Sequence, residues 1–236
     1  MSVDTLRENK ADEAYTLLKN KIVSLEYLPS STITELDVCQ QLNMSRTPIR
    51  IALARLIADG FITEVGPKKN IVADVSVDSF INIFEIREAL DLISVRSACY
   101  TWQKKEEIDE LRRLTALQRE LGAMPQVDAR AFLRVDQDFH KAIVAMTRNE
   151  LLYKELSFIY DLYWRYNFYS MYITGSRTTN HQHEEIVDAI EARDINRCVE
   201  LTKQHLQTVK EHILIGIARG FCPWDMNKVD TGYMLI

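Results

Sequence analysis

The chain has 236 residues, 47% of them hydrophobic and 27% charged, the balance of a globular protein long enough for one large domain or two modest ones. No run approaches the ~20 apolar residues that span a bilayer. The N-terminal MSVDTLRENKADE lacks the apolar core of a secretory signal, and Cys39, Cys99, Cys198 and Cys222 show no CxxC spacing, so the thiols read as reduced in a cytoplasmic protein. The net charge of −5 disfavours nucleic acid as a partner of the chain as a whole. Its distribution does not: from Asn43 to Asn70 five basic residues stand against two acidic ones, whereas residues 76–236 carry 20 basic and 24 acidic.

In chain order, Ala14, Leu17, Leu18, Ile22 and Leu25 recur on one face and predict a helix from Asp12 to Leu25. Pro29 and the Ser-Ser-Thr run interrupt it. Thr32 or Thr34 can cap a second helix, since Thr32-Ile33-Thr34-Glu35 fits a capping box; that helix turns Val38 and Leu42 inward and stops at Asn43. In the next segment, MSRTPIRIALARL, Ser45 or Thr47 can serve as N-cap, and Pro48 falls in the first turn, where its missing N–H costs nothing. Ile49, Leu53, Leu56 and Ile57 form the buried stripe of a helix ending at Gly60. FITEVGPKKNIVA then gives two short strands around a basic tip. Helix, helix, tight turn, helix and basic hairpin is the order of a winged helix-turn-helix.

In that motif the second helix enters the major groove, and residues at its N-terminus meet base edges and phosphates. Arg46 and Arg50, four apart on the first turns, with Thr47 between them, are suited to that role. Lys68 and Lys69 at the hairpin tip can reach the flanking backbone or the minor groove. The alternative is a pair of solvated arginines on an ordinary amphipathic helix.

Beyond Ala73, Ser76 or Asp78 can cap a new helix, and the pattern continues as six helices, about 79–102, 105–121, 128–147, 150–172, 179–192 and 194–219. The mainly α chain therefore divides into a winged helix-turn-helix over residues 1–74, an all-α bundle over 75–220 and an unassigned tail, 221–236. Within the bundle, Asp136 and His140 are i, i+4 neighbours flanked by Phe132, Leu133, Ile143 and Val144. His183 lies in line with Ile186, Val187 and Ile190, and His205 with Cys198, Leu201 and Val209. A buried imidazole or carboxylate without a partner is costly. Either each is satisfied by its own hydrogen bonds, or the four converge on a divalent metal: Zn first, with Ni, Mn, Fe or Co also compatible with the donors. Arg87 either forms an i, i+4 ion pair with Asp91 or faces a ligand in the bundle. The aromatic run IYDLYWRYNFYSMY reads mostly as bundle core through Tyr160, Tyr163, Trp164 and Phe168, and His181 and His212 as surface residues.

The run ITELDVCQQLNMSRTPIRIALARLIADGFITEV closely resembles the DNA-binding domain of the GntR family of bacterial regulators. The family pattern S-R-T-P-(V/I)-R-x-A-L-x-R-L-x-x-x-G-(L/F) is matched almost continuously, and its DNA-contacting residues fall on Arg46, Thr47 and Arg50. Ser30 stands where a glycine is usual, Lys69-Asn70 where Arg-Gly is common at the wing, and Leu36 where some members place an arginine. The pieces FEIREALDLISVRSA, VDQDFHKAIVAMTRN, HEEIVDAIEARD and the helix bearing QHL resemble the FCD effector-binding domain of the FadR-type subgroup. The resemblance implies metal ligands at Asp136, His140, His183 and His205, and an effector-facing Arg87 in the E-x-R motif. It further implies a homodimer on a palindromic operator, released as a repressor by a small carboxylate. The rival readings are a metal-dependent hydrolase using Glu184 or Glu185 as base, and a regulator whose metal is structural or is itself the signal.

Overall fold

The computed structural model describes residues 3–66, 69–174 and 180–218, and the chain separates into two compact units, Met1–Val75 and Ser76–Ile236. In the first, α1 (Val3–Val23) packs on α3 (Arg46–Ala58), with α2 (Glu35–Leu42) against α3 as well. The helix α1 starts well before Asp12, because the polar turn ahead of it has good helix formers but no apolar period to betray it. Its inward stripe is Ala11, Ala14, Leu18 and Ile22; Leu17, expected inside, is exposed at the stripe's edge.

Thr34 is the N-cap of α2, its hydroxyl accepting the Asp37 N–H at 3.2 Å, and Asn43 ends the helix in the left-handed region. Thr32 does not cap. Thr32–Ile33 forms β1, a two-residue strand that the sequence reading missed. It pairs antiparallel with β3 (Lys69–Val72), which pairs in turn with β2 (Ile62–Gly66), giving the sheet order β1-β3-β2. The turn ahead of β1 places Ser30 at φ 61°, with its N–H donated to the Val72 carbonyl at 2.9 Å.

The second unit is helical among its described residues: α4 (Val77–Thr101), α5 (Lys105–Ala123), α6 (Ala129–Met146), α7 (Glu150–Thr174), α8 (Asn180–Glu191) and α9 (Ile195–Ala218). Ser76 caps α4 and Asp128 caps α6, each accepting main-chain N–H groups of the first turn. The helix α4 packs on α6, α7 and α9, and α5 packs on α6 and α8. The principal core joins Val95, Leu111, Phe139, Ile143, Ile186, Ile190 and Leu201 from five of these helices. The interior of this unit is not wholly apolar: Arg87, Asp91, His140, His183 and His205 are buried as well.

An L-residue in the left-handed region costs about 1 kcal/mol relative to glycine, part of which is returned by glycine's larger unfolded-state entropy. Ser30→Gly is therefore expected to stabilise the first unit by about 0.5 kcal/mol, read as a higher denaturant midpoint at unchanged m-value. A lower midpoint would show that the Ser30 side chain contributes more than its backbone costs.

Candidate nucleic-acid interface and metal centre

Ser45 precedes α3 in extended conformation, and Pro48 and Ile49 are buried one turn in, so the helix is anchored on its inner face. That leaves Arg46, Thr47 and Arg50 exposed on the outer face. Both arginines meet one carboxylate. Arg50 Nε donates to Glu35 Oε2 at 2.7 Å, and Arg46 Nε lies 3.8 Å from Glu35 Oε1. Exposed pairs of this kind contribute little stability; what they supply is orientation, holding two flexible cations over the first turns of α3. Arg55 contributes to the local positive charge of the sequence but not to this group, since it pairs with Asp12 and stacks on Tyr15, 4.3 Å from the ring centre. Lys69 opens β3 and is exposed; Lys68 lies outside the described residues.

In the second unit the sequence pattern brings three histidines together. One ring nitrogen each of His140, His183 and His205 lies within 4.8 Å of the others. The three come from α6, α8 and α9. Asp136, one turn before His140, sits at the rim with Oδ1 3.8 Å from His183 Nε2. Arg87 does form the ion pair with Asp91, at 3.1 Å and fully buried, and Tyr160 donates its hydroxyl to the same carboxylate. Its Nη2 lies 3.3 Å from His140 Nε2, and its guanidinium stacks over Tyr163 at 4.0 Å. Arg87 Nη1 is buried without a hydrogen-bond partner among the described residues.

Two glutamine amides set the histidine tautomers. Gln118 Nε2 donates to Asp136 Oδ1 at 2.9 Å, which turns its Oε1 toward His183 Nδ1, 2.8 Å away. Since an amide oxygen only accepts, Nδ1 carries the proton and Nε2 is bare. Gln182 acts likewise on His205: its Nε2 donates to Thr208 Oγ1 at 3.2 Å, and its Oε1 faces His205 Nδ1 at 3.3 Å. The two bare Nε2 atoms then face each other at 3.3 Å. Two lone pairs at that distance repel unless a cation lies between them. Ligand nitrogens bound at ~2.0–2.1 Å to one cation stand about 2.9–3.4 Å apart, so the donor set fits a divalent metal. Burial, and then the charge of Arg87, pushes the His183 imidazole down to about 3; burial also carries His140 and His205 well below the ordinary range. All three are neutral near pH 7, the form in which imidazole binds metal.

The chain matches the family described as bacterial regulatory proteins, gntR family, over residues 10–66, and the FCD domain over residues 82–208. It is 31% identical over 193 residues to the Nta operon transcriptional regulator of Aminobacter aminovorans, covering 81% of this chain and 89% of that one. It is 27% identical over 206 residues to the HTH-type transcriptional repressor GlaR of Escherichia coli, covering 83% and 92%. This protein belongs to the GntR family. It is a DNA-binding transcriptional regulator with an FCD domain, and its relatives are regulators rather than enzymes. Solved structures share the fold: E. coli McbR/YncC superposes with a TM-score of 0.72 at 20% identity, over 89% of this chain and 98% of that one. A GntR regulator from Rhodococcus sp. RHA1 gives 0.74 at 17%, over 87% and 98%.

Other residues of the regulator fall outside the cluster. Glu184 pairs with Arg119 at 2.9 Å, and Glu185 lies 3.7 Å from Arg197, so neither carboxylate is held at the histidines. His181 is exposed, whereas His212, expected at the surface, is half-buried. Gln118 and Gln182 were missed by sequence reasoning. A glutamine in LTALQREL looks like any surface helix former, and only the packing of α5 on α6 and α8 buries it.

Replacing Gln118 with leucine keeps the volume but removes the amide that joins Asp136 to His183. The expected result is a 10- to 100-fold loss of divalent-metal affinity in competition with a chromophoric chelator. Unchanged affinity would detach this amide from the site.

Proposed function

We propose that the protein is a homodimeric repressor whose operator affinity is set by a small carboxylate bound at a divalent cation held by Asp136, His140, His183 and His205. The observation that carries this reading is the convergence of two imidazoles with bare Nε2 atoms, tautomers fixed by Gln118 and Gln182, next to a buried guanidinium with one nitrogen unpartnered among the described residues. The cation would supply a positive centre for a carboxylate oxygen. Arg87 Nη1 would donate to the same ligand, while Asp91 and Tyr163 keep the guanidinium in place. Zinc suits these donors best, with Ni, Mn, Fe and Co as alternatives.

Two small spaces flank His140. One is lined by Arg87, Asp136, Tyr160, Tyr163, Trp164 and Asn167, the other by Asp91, Ser94, Ile143, Ile186 and Thr202, and each has a volume of about 10 Å³. That is room for one water. A carboxylate metabolite would fit neither space without a shift of the helices that line it, so its binding would select a different helix arrangement and thereby be linked to the state of the protein. The repressor sign rests on relatives named as repressors, GlaR among them.

On DNA, Arg46, Thr47 and Arg50 would meet the major groove, with Lys68 and Lys69 on the flanking backbone. A two-fold dimer would read a palindrome in the cytoplasm. Purified protein incubated with sheared genomic DNA at about 150 mM salt is expected to retain one or a few palindromic sites, released by a small carboxylate in the presence of metal. Retention of no specific site would overturn the reading. Arg50→Ala should weaken operator binding about 10- to 100-fold with metal content unchanged. His140→Ala should lose metal and the carboxylate response while retaining operator affinity. If both variants failed in both assays, the division of labour between the two sites would be wrong.

A further inference from the structure

The first turn of α2 presents one side chain that its neighbours leave uncommitted. Thr34 and Asp37 are bonded to each other, hydroxyl to carboxylate at 2.6 Å, and Glu35 is taken by Arg46 and Arg50. Leu36, between them, is 56% exposed. A single exposed leucine is ordinary on a protein surface. This one lines a concavity of about 470 Å³ together with Arg46, Arg50, Ala54 and Asn70. It therefore lies beside the first turns of α3, the part of a helix-turn-helix that faces base edges.

The local charge balance also favours an apolar contact here. Glu35 offsets part of the positive charge of the two arginines, so this face grips phosphate less strongly than two free arginines would. Leucine can neither donate nor accept a hydrogen bond, and water solvates it poorly. In the major groove one base carries an apolar group at its edge, the 5-methyl of thymine.

We propose that Leu36 reads a thymine methyl group in each half-site, next to the bases met by Arg46 and Arg50. This deepens the DNA-binding reading above and rests on it. Leu36 is then a specificity residue: it selects A·T over the other pairs at one position by burying a methyl group rather than by hydrogen bonding.

The test uses the full-length protein and the duplex most enriched in the genomic selection, with each thymine replaced in turn by deoxyuridine, which removes the methyl group and leaves pairing intact. One symmetry-related position is expected at which deoxyuridine weakens binding about three- to fivefold per half-site, the equivalent of one buried methyl group. Leu36→Ala should bind the unmodified duplex as weakly as the wild type binds that deoxyuridine duplex, and should be indifferent to deoxyuridine there. If Leu36→Ala weakens binding to every duplex alike and keeps the wild-type sensitivity to deoxyuridine, Leu36 is structural and the inference is overturned. Binding of the wild type that no deoxyuridine position weakens also overturns it, leaving the regulator reading intact. Retention of no specific duplex overturns both together.

Discussion

The helical unit is organised around a hydrogen-bond relay that runs from a carboxylate through an amide to an imidazole. Asp136 fixes the orientation of Gln118, and Gln118 fixes the proton on His183. Each step follows because its acceptor can only accept. The outcome is a lone pair on His183 Nε2 aimed at another on His205 Nε2, in a core where an unsatisfied polar atom is expensive. Apolar residues at these positions would pack with less difficulty. A fold that buries three imidazoles, the Asp91 carboxylate and the Arg87 guanidinium on four helices has accepted a cost that packing alone does not return. A cation at the three nitrogens, as proposed, would offset it.

Much of this was legible in the sequence because helices write their inner faces at 3.6-residue spacing. Asp136 and His140 stand one turn apart among Phe132, Leu133, Ile143 and Val144, and a polar pair on such a stripe must be buried with a partner. His183 and His205 were found the same way. The parts that were not legible have no period to show. Gln118 is polar and exposed-looking in sequence, and its burial depends on where α5 lands. Thr32–Ile33 is two residues long, too short for alternation, so its strand is visible only through its pairing with Ile71 and Asn70. Arg55 counts as positive charge in the sequence, but only the fold reveals that Asp12 and Tyr15 hold it away from the recognition face.

The two units solve the same physical problem in opposite surroundings. On α3, Glu35 organises Arg46 and Arg50 in water, where the energy of each pair is small and its value is geometric. In the bundle, Asp91 organises Arg87 out of water, where an unpaired guanidinium would be costly and the pairing is obligatory. The exposed arrangement can exchange its carboxylate for base or phosphate contacts without leaving a buried charge uncompensated. The buried one cannot release Asp91, so Arg87 interacts with further groups only through the nitrogens Asp91 does not use.

That restriction explains why Arg87 joins so many helices. Its Nε is tied to Asp91 on its own helix, α4; Tyr160 and Tyr163 of α7 hold the carboxylate and the guanidinium face; and Nη2 reaches His140 of α6. Any group that took hold of Nη1 or displaced Nη2 from His140 would act on α4, α6 and α7 at once. The two spaces described beside His140 are no larger than a water, so such a group would enter either of them only by moving at least one of these helices. A ligand changes the state of a protein only by as much as it prefers one arrangement over another. On the proposed reading, the tightness of the packing around His140 would create that preference, so the density of the core would serve regulation as directly as the donor atoms.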